Sequence, residues 1–210
     1  MSVKDYETRL YVKDDLSIGK SLVLKNDQSH YIRSVLRLKE NSQIALFNGE
    51  EGEWLSTIKI ISKKFVELEV IEQIKLQDVI SDIWLVFAPI KRTRIDYLAQ
   101  KATELGAGAL WPIFTKYTSV SRVNAERLRS NSIEAAEQSG RLTVPKILDP
   151  IDFDTLIEKW PHDRDLFCLD ETGRGAPILD AFRSSHQRAS GLLIGPEGGF
   201  AKEELDQVDK

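Results

Sequence analysis

Three short stretches of this chain hold residue types that could do chemistry. The first is Leu192-Leu193-Ile194-Gly195-Pro196-Glu197-Gly198-Gly199-Phe200, an apolar strand that runs into a glycine-rich turn ahead of a helix. At the carboxyl edge of a parallel sheet, such a turn offers a ligand its backbone N–H groups and the positive end of a helix dipole. A tight strand-to-helix connection with glycine at one or two positions of positive φ accounts for the same letters. A phosphate loop fits poorly, because no lysine follows the glycines at the required place and Glu197 would repel a phosphate. A carboxylate there suits a ligand with cationic or hydrogen-donating groups. The second stretch is Lys101-Ala102-Thr103-Glu104-Leu105-Gly106-Ala107, where Lys101 and Glu104 lie three apart on one helix face and make at least a surface ion pair. The third is Glu134-Ala135-Ala136-Glu137-Gln138-Ser139-Gly140-Arg141. Helical spacing there sets two carboxylates, an amide and a guanidinium on one edge, which is either a solvated face or a site for the polar edge of a base and its phosphate.

The remaining reactive side chains have plainer readings. Cys168 sits mid-strand and reads as a buried structural thiol. His30 opens a helix, where capping or packing is the default, and His162 and His186 fall in polar connections and are expected at the surface. No Ser-His-Asp arrangement is visible. A single cysteine excludes an internal disulfide framework, and no zinc-like spacing exists, so no structural metal is expected.

The elements that must position these stretches fall into two rhythms. Arg9 to Val12, Ser21 to Leu24, Gln43 to Phe47, Trp54 to Ile61 and Phe65 to Ile71 read as short strands, with turns at Asn48-Gly49 and Ser62-Lys63-Lys64. One helix, about His30 to Leu38, interrupts them, so a small β-barrel with one helix fits residues 1–74. The polar stretch Glu72 to Asp82 reads as a linker. Beyond it, residues 75–210 alternate apolar strands (Ile83–Ala88, Ala109–Phe114, Pro145–Leu148, Asp165–Leu169, Gly191–Ile194) with helices (Arg92–Leu105, near Asn124–Ser139, Phe153–Trp160, Pro177–Arg183, and one from Lys202). That alternation implies an α/β domain whose parallel sheet is covered on both faces. The helix from Arg92 is expected to bury Ile95, Leu98, Ala99, Ala102 and Leu105 and to stop at Gly106. Trp54, Trp84, Trp111 and Trp160 fall in apolar patterns and read as core or interface.

Composition bounds the class. With 210 residues, 41% hydrophobic and 30% charged, the chain is an ordinary globular protein of two domains. No stretch is apolar enough to span a membrane, and the opening MSVKDYETRL is charged where a signal peptide places its apolar run, so a cytoplasmic location is expected. The net charge of −4 argues mildly against a protein that coats nucleic acid indiscriminately. Its distribution says more: residues 1–77 are neutral, residues 78–148 carry 10 basic against 7 acidic side chains, and residues 149–210 carry 7 against 14. A net-positive middle could face a polyanion, or simply be solvated surface.

Taken together and in order, Arg9-Leu10-Tyr11-Val12, His30-Tyr31-Ile32-Arg33-Ser34-Val35-Leu36-Arg37, Phe47-Asn48-Gly49, Lys91, Gln100-Lys101-Ala102-Thr103-Glu104-Leu105-Gly106, Pro112, the Glu134 to Arg141 stretch, Pro145 and Ile194 to Phe200 give a chain that resembles the bacterial ribosomal RNA small subunit methyltransferase E family. The resemblance implies an N-terminal PUA-like barrel and a C-terminal SPOUT domain with a deep trefoil knot. It also implies S-adenosylmethionine as cofactor, and methylation of N3 of a uridine in 16S rRNA, in the small subunit or an assembly intermediate, as a step of rRNA processing and ribosome biogenesis. It further implies a homodimer. Members of the family continue into a further strand with a Leu-Gly-x-Arg-Ile-Leu-Arg stretch and a last helix that complete the knot and one pocket wall. The sequence stops at Lys210, before that last knot element, so either a tail is missing from it or the protein is a natural truncation; a chain genuinely ending there is expected to bind cofactor weakly or not at all.

On this resemblance Leu169, Leu193, Gly195, Pro196, Glu197 and Gly198 are expected to line the cofactor pocket. Arg141 or Lys91 would stabilise the uridine anion, and Glu137 or Glu197 would accept its proton. Arg9, Arg33, Arg37, Arg94, Lys101 and Gln138 are the expected RNA contacts. Two other classes stay open: a non-catalytic RNA-binding protein of the same architecture, and a nucleotide-binding α/β enzyme that uses the glycine-rich turn.

Overall fold

The computed structural model describes residues 6–79, 81–173, 175–185 and 189–208, the side chains of Arg92 and Thr93 excepted. These cluster into two units, residues 1–79 with 136–143, and residues 80–135 with 144–210. The break falls later than residue 74 because the last strand of the first unit runs on to Lys75, into what reads in the sequence as linker.

The first unit contains β1 (Arg9–Tyr11), β2 (Ser21–Lys25), α1 (Asn26–His30), β3 (Gln43–Phe47), β4 (Glu53–Ile61) and β5 (Phe65–Lys75). They form one sheet in the order β1-β3-β4-β5-β2, parallel between β1 and β3 and antiparallel elsewhere. Register shifts along the β4–β5 pair curl this sheet into the barrel-like form the resemblance implies. Strict alternation shows in β2, where Leu22 and Leu24 are buried between exposed Ser21, Val23 and Lys25. The core gathers Leu10, Ile32, Ile44, Leu46, Ile58, Val66 and Leu68, and fully burying each such side chain contributes about 1.5–3 kcal/mol. The helix expected from His30 starts earlier, at Asn26, and continues as a π-helical turn over Tyr31–Val35. It is closed by Arg37, whose φ of 55° is a left-handed conformation that a side chain adopts at a cost.

The second unit holds β6 (Ile83–Phe87), α2 (Arg92–Leu105), β7 (Ala109–Phe114), α3 (Ala125–Ser139, whose last turn clusters with the first unit), β8 (Lys146–Ile147), β9 (Ile151–Asp152), α4 (Phe153–Lys159), β10 (Asp165–Leu169), α5 (Ile178–Ser184), β11 (Ser190–Ile194) and α6 (Lys202–Val208). All pairings are parallel, in the order β10-β11-β6-β7-β8, with the far end of β7 pairing β9 instead. Successive strand residues point to opposite faces. Val86, Trp111, Ile113 and Leu193 therefore pack with Phe153, Leu156 and Leu205 of α4 and α6, while Phe87 and Leu110 pack with Ala99, Ala102 and Leu128 of α2 and α3. Leu105, expected on the buried stripe of α2, is 82% exposed: the helix is already leaving the sheet there, and Gly106 ends it in a left-handed cap. Trp84, Trp111 and Trp160 pack ring against ring, with the Arg164 guanidinium 3.9 Å from the Trp84 ring centroid.

Candidate functional site

At the carboxyl edge of the second unit's sheet, β11 leads into the turn Gly195–Ala201 and then α6. Each glycine in that turn has a different physical standing. A Cβ on Gly195 would lie 2.9 Å from the Phe200 ring, which folds back under the turn and packs on Phe153. Gly199 has φ of 71°, a backbone conformation that favours glycine, and lies against the Glu171 carboxylate. Gly199 N–H closes the turn on the Pro196 carbonyl at 2.9 Å, and Pro196 is buried. Gly198 has no such reason: its φ is not positive, and its nearest neighbour is Tyr117 Cβ at 3.5 Å from where a Cβ would stand, an ordinary contact. Gly198 is also exposed. The turn thus carries an open stretch of backbone that its own folding does not require.

Beside the turn, a cavity of about 590 Å³ is lined by β10, by Asp170 and Glu171 that follow it, by α5 and by Val208. Glu171 lines this cavity and its carboxylate also lies against Gly199, so one side chain reaches both. Leu169 lines it and is 36% exposed. Leu193, expected in the same lining, is fully buried on the α4 and α6 face, paired with Cys168 on one side and Val86 on the other, and does not line the cavity. Cys168 is half-buried on the cavity wall, packed against the core, and not sealed within it.

Lys91 caps α2, which follows β6, and is exposed. One turn on, Arg94 meets Glu197 of the glycine-rich turn at 3.6 Å, so the structure joins two residues expected for different roles. Both are well exposed, and such a pair is worth little in water and is easily exchanged for a ligand. A second cavity, about 690 Å³, opens between the starts of α2 and α3, with Ile90, Ile95, Val120 and Arg122 among its walls. Asp96 spans that region, accepting from Arg127 Nε at 2.7 Å and from Asn131 at 2.8 Å. Lys101 pairs with Glu104 at 2.7 Å and lies over the Tyr97 ring; its ammonium is held above the usual lysine range by that hydrogen bond.

A feature not read from the sequence fixes the other flank. The turn Thr115–Thr118 after β7 is held by Thr115 N–H on Thr118 Oγ1 (2.9 Å), by the two threonine hydroxyls at 2.8 Å, and by Thr118 N–H on the Thr115 carbonyl (3.1 Å). Glu204, 8% exposed, accepts Lys116 N–H on one carboxylate oxygen (2.7 Å) and Ala201 N–H on the other (2.8 Å). The second of these is half of a capping box, and a glutamate three residues after Ala201 was its legible signal.

In the first unit, Arg9 is not a surface contact. It is 9% exposed, paired with Glu53, and stacked 4.6 Å from the Phe47 ring centroid. Its guanidinium donates to the carbonyls of Ala136 (2.8 Å), Glu137 (2.9 Å) and Arg141 (3.0 Å). These are carbonyls at and beyond a helix C-terminus, where a cation is favoured. Glu137, expected as a base, accepts Tyr11 N–H at 2.9 Å. Glu137, Gln138 and Arg141 thus belong to the first unit, and Lys91, Arg94 and Glu197 to the second. Gln138 is exposed, Arg33 is half-exposed with Nε on the Ser29 carbonyl (3.2 Å), and Arg37 is exposed. His30 and His162 are exposed, and His186 lies outside the described residues. Among the described residues no group of three His, Cys, Asp or Glu side chains could hold a metal, and no helix is long and apolar enough to cross a membrane.

The chain is similar to known proteins. The family model of an RNA methyltransferase domain matches residues 77–210, and that of an RNA methyltransferase PUA domain matches residues 24–71. Ribosomal RNA small subunit methyltransferase E of Rickettsia conorii is 34% identical over 199 residues, spanning 94% of this chain and 81% of its own. The protein of the same name from Synechocystis is 28% identical, spanning 94% of this chain and 66% of its own. Among solved structures, ribosomal RNA small subunit methyltransferase E from Neisseria gonorrhoeae bound to S-adenosyl methionine superposes with a TM-score of 0.83 at 26% identity, over 97% of this chain and 86% of that one. A methyltransferase from Legionella pneumophila, also in complex with S-adenosyl methionine, gives 0.84 at 25% identity over 96% and 85%.

Proposed function

Because the chain belongs to the ribosomal RNA small subunit methyltransferase E family, we propose that it transfers a methyl group from S-adenosylmethionine to N3 of one uridine of 16S rRNA, in the small ribosomal subunit or its assembly intermediate. The observation that carries this reading is the turn at Gly195–Gly199, whose exposed Gly198 is not required by the fold, with Glu171 reaching from it to a cavity of about 590 Å³. An adenosine and its amino-acid tail ask for such a place: exposed backbone N–H and C=O groups beside an apolar wall. The residues present fit. Leu169 supplies the wall, and Gly195, Pro196, Glu197 and Gly198 supply the edge.

Bound there, S-adenosylmethionine supplies an electrophilic methyl on a sulfonium. The work left to the protein is positioning and deprotonation. Uridine N3–H is a weak acid, so its anion must be drawn out and held. Glu197 is the proposed proton acceptor, in preference to Glu137, whose carboxylate already takes Tyr11 N–H. Arg94, 3.6 Å from Glu197, lies beside that carboxylate and is exposed enough to yield to the substrate. Lys91, exposed at the start of the same helix, meets the negative charge that spreads onto O2 and O4, with Arg141 the alternative cation. Arg33, Arg37, Lys101 and Gln138 serve as RNA contacts, reading backbone and shape more than sequence. Homodimer assembly and the trefoil knot belong to the same proposal and rest on the family resemblance alone; a cytoplasmic location belongs to it too.

Methyl transfer to unmodified small subunits, followed with S-adenosylmethionine carrying a labelled methyl group, tests the reading. Intact single-turnover transfer in both Lys91→Ala and Arg141→Ala would show that neither cation stabilises the anion. Thermal shifts separate the other classes: stabilisation by S-adenosylhomocysteine supports the transferase, by mononucleotides a nucleotide enzyme, and by RNA alone a binding module.

A further inference from the structure

We infer that Tyr117 is the platform on which the target base stacks beside the methyl donor, an assignment that rests on the methyltransferase reading above. Tyr117 is 50% exposed, in the hydrogen-bonded turn after β7. Its neighbours Thr115 and Thr118 are locked by their own hydroxyl and amide hydrogen bonds, and the Lys116 amide is pinned by the buried carboxylate of Glu204. The same carboxylate fixes Ala201, at the end of the glycine-rich turn, so the Tyr117 backbone and that turn share one anchor. Tyr117 Cβ and Cγ stand over Gly198, the one glycine of the turn that the fold does not need. Lys116 Nζ lies 5.9 Å from the Tyr117 ring centroid and 3.4 Å from Glu203, which places a cation at the rim of the ring.

An exposed aromatic ring on a rigid backbone, next to open main chain and a lysine, is the equipment for holding an unstacked base and the phosphate beside it. A uridine in folded RNA must leave its neighbours before its N3 can reach a methyl donor, and an aromatic face replaces the stacking it gives up.

Tyr117→Ala, Tyr117→Phe and the wild-type protein are compared for methyl transfer to unmodified small subunits, for S-adenosylmethionine affinity by calorimetry, and for melting temperature. Tyr117→Ala should lose about tenfold or more in kcat/KM for RNA, with cofactor affinity and melting temperature unchanged, and Tyr117→Phe should restore the wild-type value. The platform is overturned if wild type is active and Tyr117→Ala stays within about twofold of it, if the loss follows cofactor affinity, or if Phe fails as Ala does. Absence of transfer by the wild-type protein would defeat the transferase reading, and the platform with it.

Discussion

Glu204 accepts the Lys116 amide at 2.7 Å through one carboxylate oxygen and the Ala201 amide at 2.8 Å through the other. One buried side chain thereby sets the spacing between the turn after β7 and the glycine-rich turn after β11. Glu204→Gln exchanges one of those acceptors for an NH2 group that faces an N–H. A buried donor left unsatisfied costs about 1–3 kcal/mol. Thermal melts of Glu204→Gln should show that loss, and methyl transfer should fall further than the melting temperature alone explains. Unchanged melting would mean that the carboxylate does not hold the two turns.

Gly198 and Gly195 should respond in opposite ways to the same added methyl group. Gly198→Ala has room in the free protein and should melt like wild type, yet weaken S-adenosylmethionine binding by about tenfold or more, since a Cβ would stand over the open backbone. Gly195→Ala drives a Cβ into the Phe200 ring and should cost about 1–3 kcal/mol of stability. Calorimetric titration beside thermal melts separates the two effects.

Arg9 joins Glu53 to three backbone carbonyls, and no monodentate cation reproduces that fork. Arg9→Ala strands a buried carboxylate and should cost about 3–5 kcal/mol, with Arg9→Lys recovering only part. Urea denaturation measures this. A stable Arg9→Ala protein that loses only RNA affinity would show that the arginine faces RNA after all.

Asp152 caps α4 by accepting Thr155 N–H at 2.8 Å, which holds its carboxyl below the usual aspartate range. A depressed pKa contributes stability that is present above the unfolded value, about 4, and is lost as pH falls through the folded value. Asp152→Ala should therefore melt below wild type at neutral pH, and the gap should close as the pH is taken below that range. A gap that is independent of pH would point to the geometry of the cap and not its charge.

Much of the architecture was written in local pattern. The alternation of Leu22 and Leu24 with polar neighbours, and the apolar strands that hold Val86 and Leu193, are short-range signals, and the sheets follow them. What the sequence hid was set at long range. Leu105 continues a helical stripe perfectly well by spacing, and only the position of the sheet leaves it exposed. Arg9 looks like any arginine near a strand until Glu53 and the carbonyls at the end of α3 are brought to it. The pairing of β7 with both β8 and β9 depends on where the chain turns after Leu148, not on either two-residue strand. In the site, the Gly195–Gly199 motif was visible as letters, but which glycine serves the fold and which stands open is a matter of φ and neighbours. Tyr117 and Glu204 lie far from that motif in sequence and join it only in space.

Methylation of one uridine of 16S rRNA at N3 is the proposed reaction. Its most direct test is nucleoside mass spectrometry of rRNA from unmodified small subunits incubated with the protein and S-adenosylmethionine carrying a labelled methyl group. The expected result is label in 3-methyluridine at a single position, lost with Gly198→Ala at limiting cofactor. Label in a different nucleoside, or no transfer to subunits or their assembly intermediates, would contradict it.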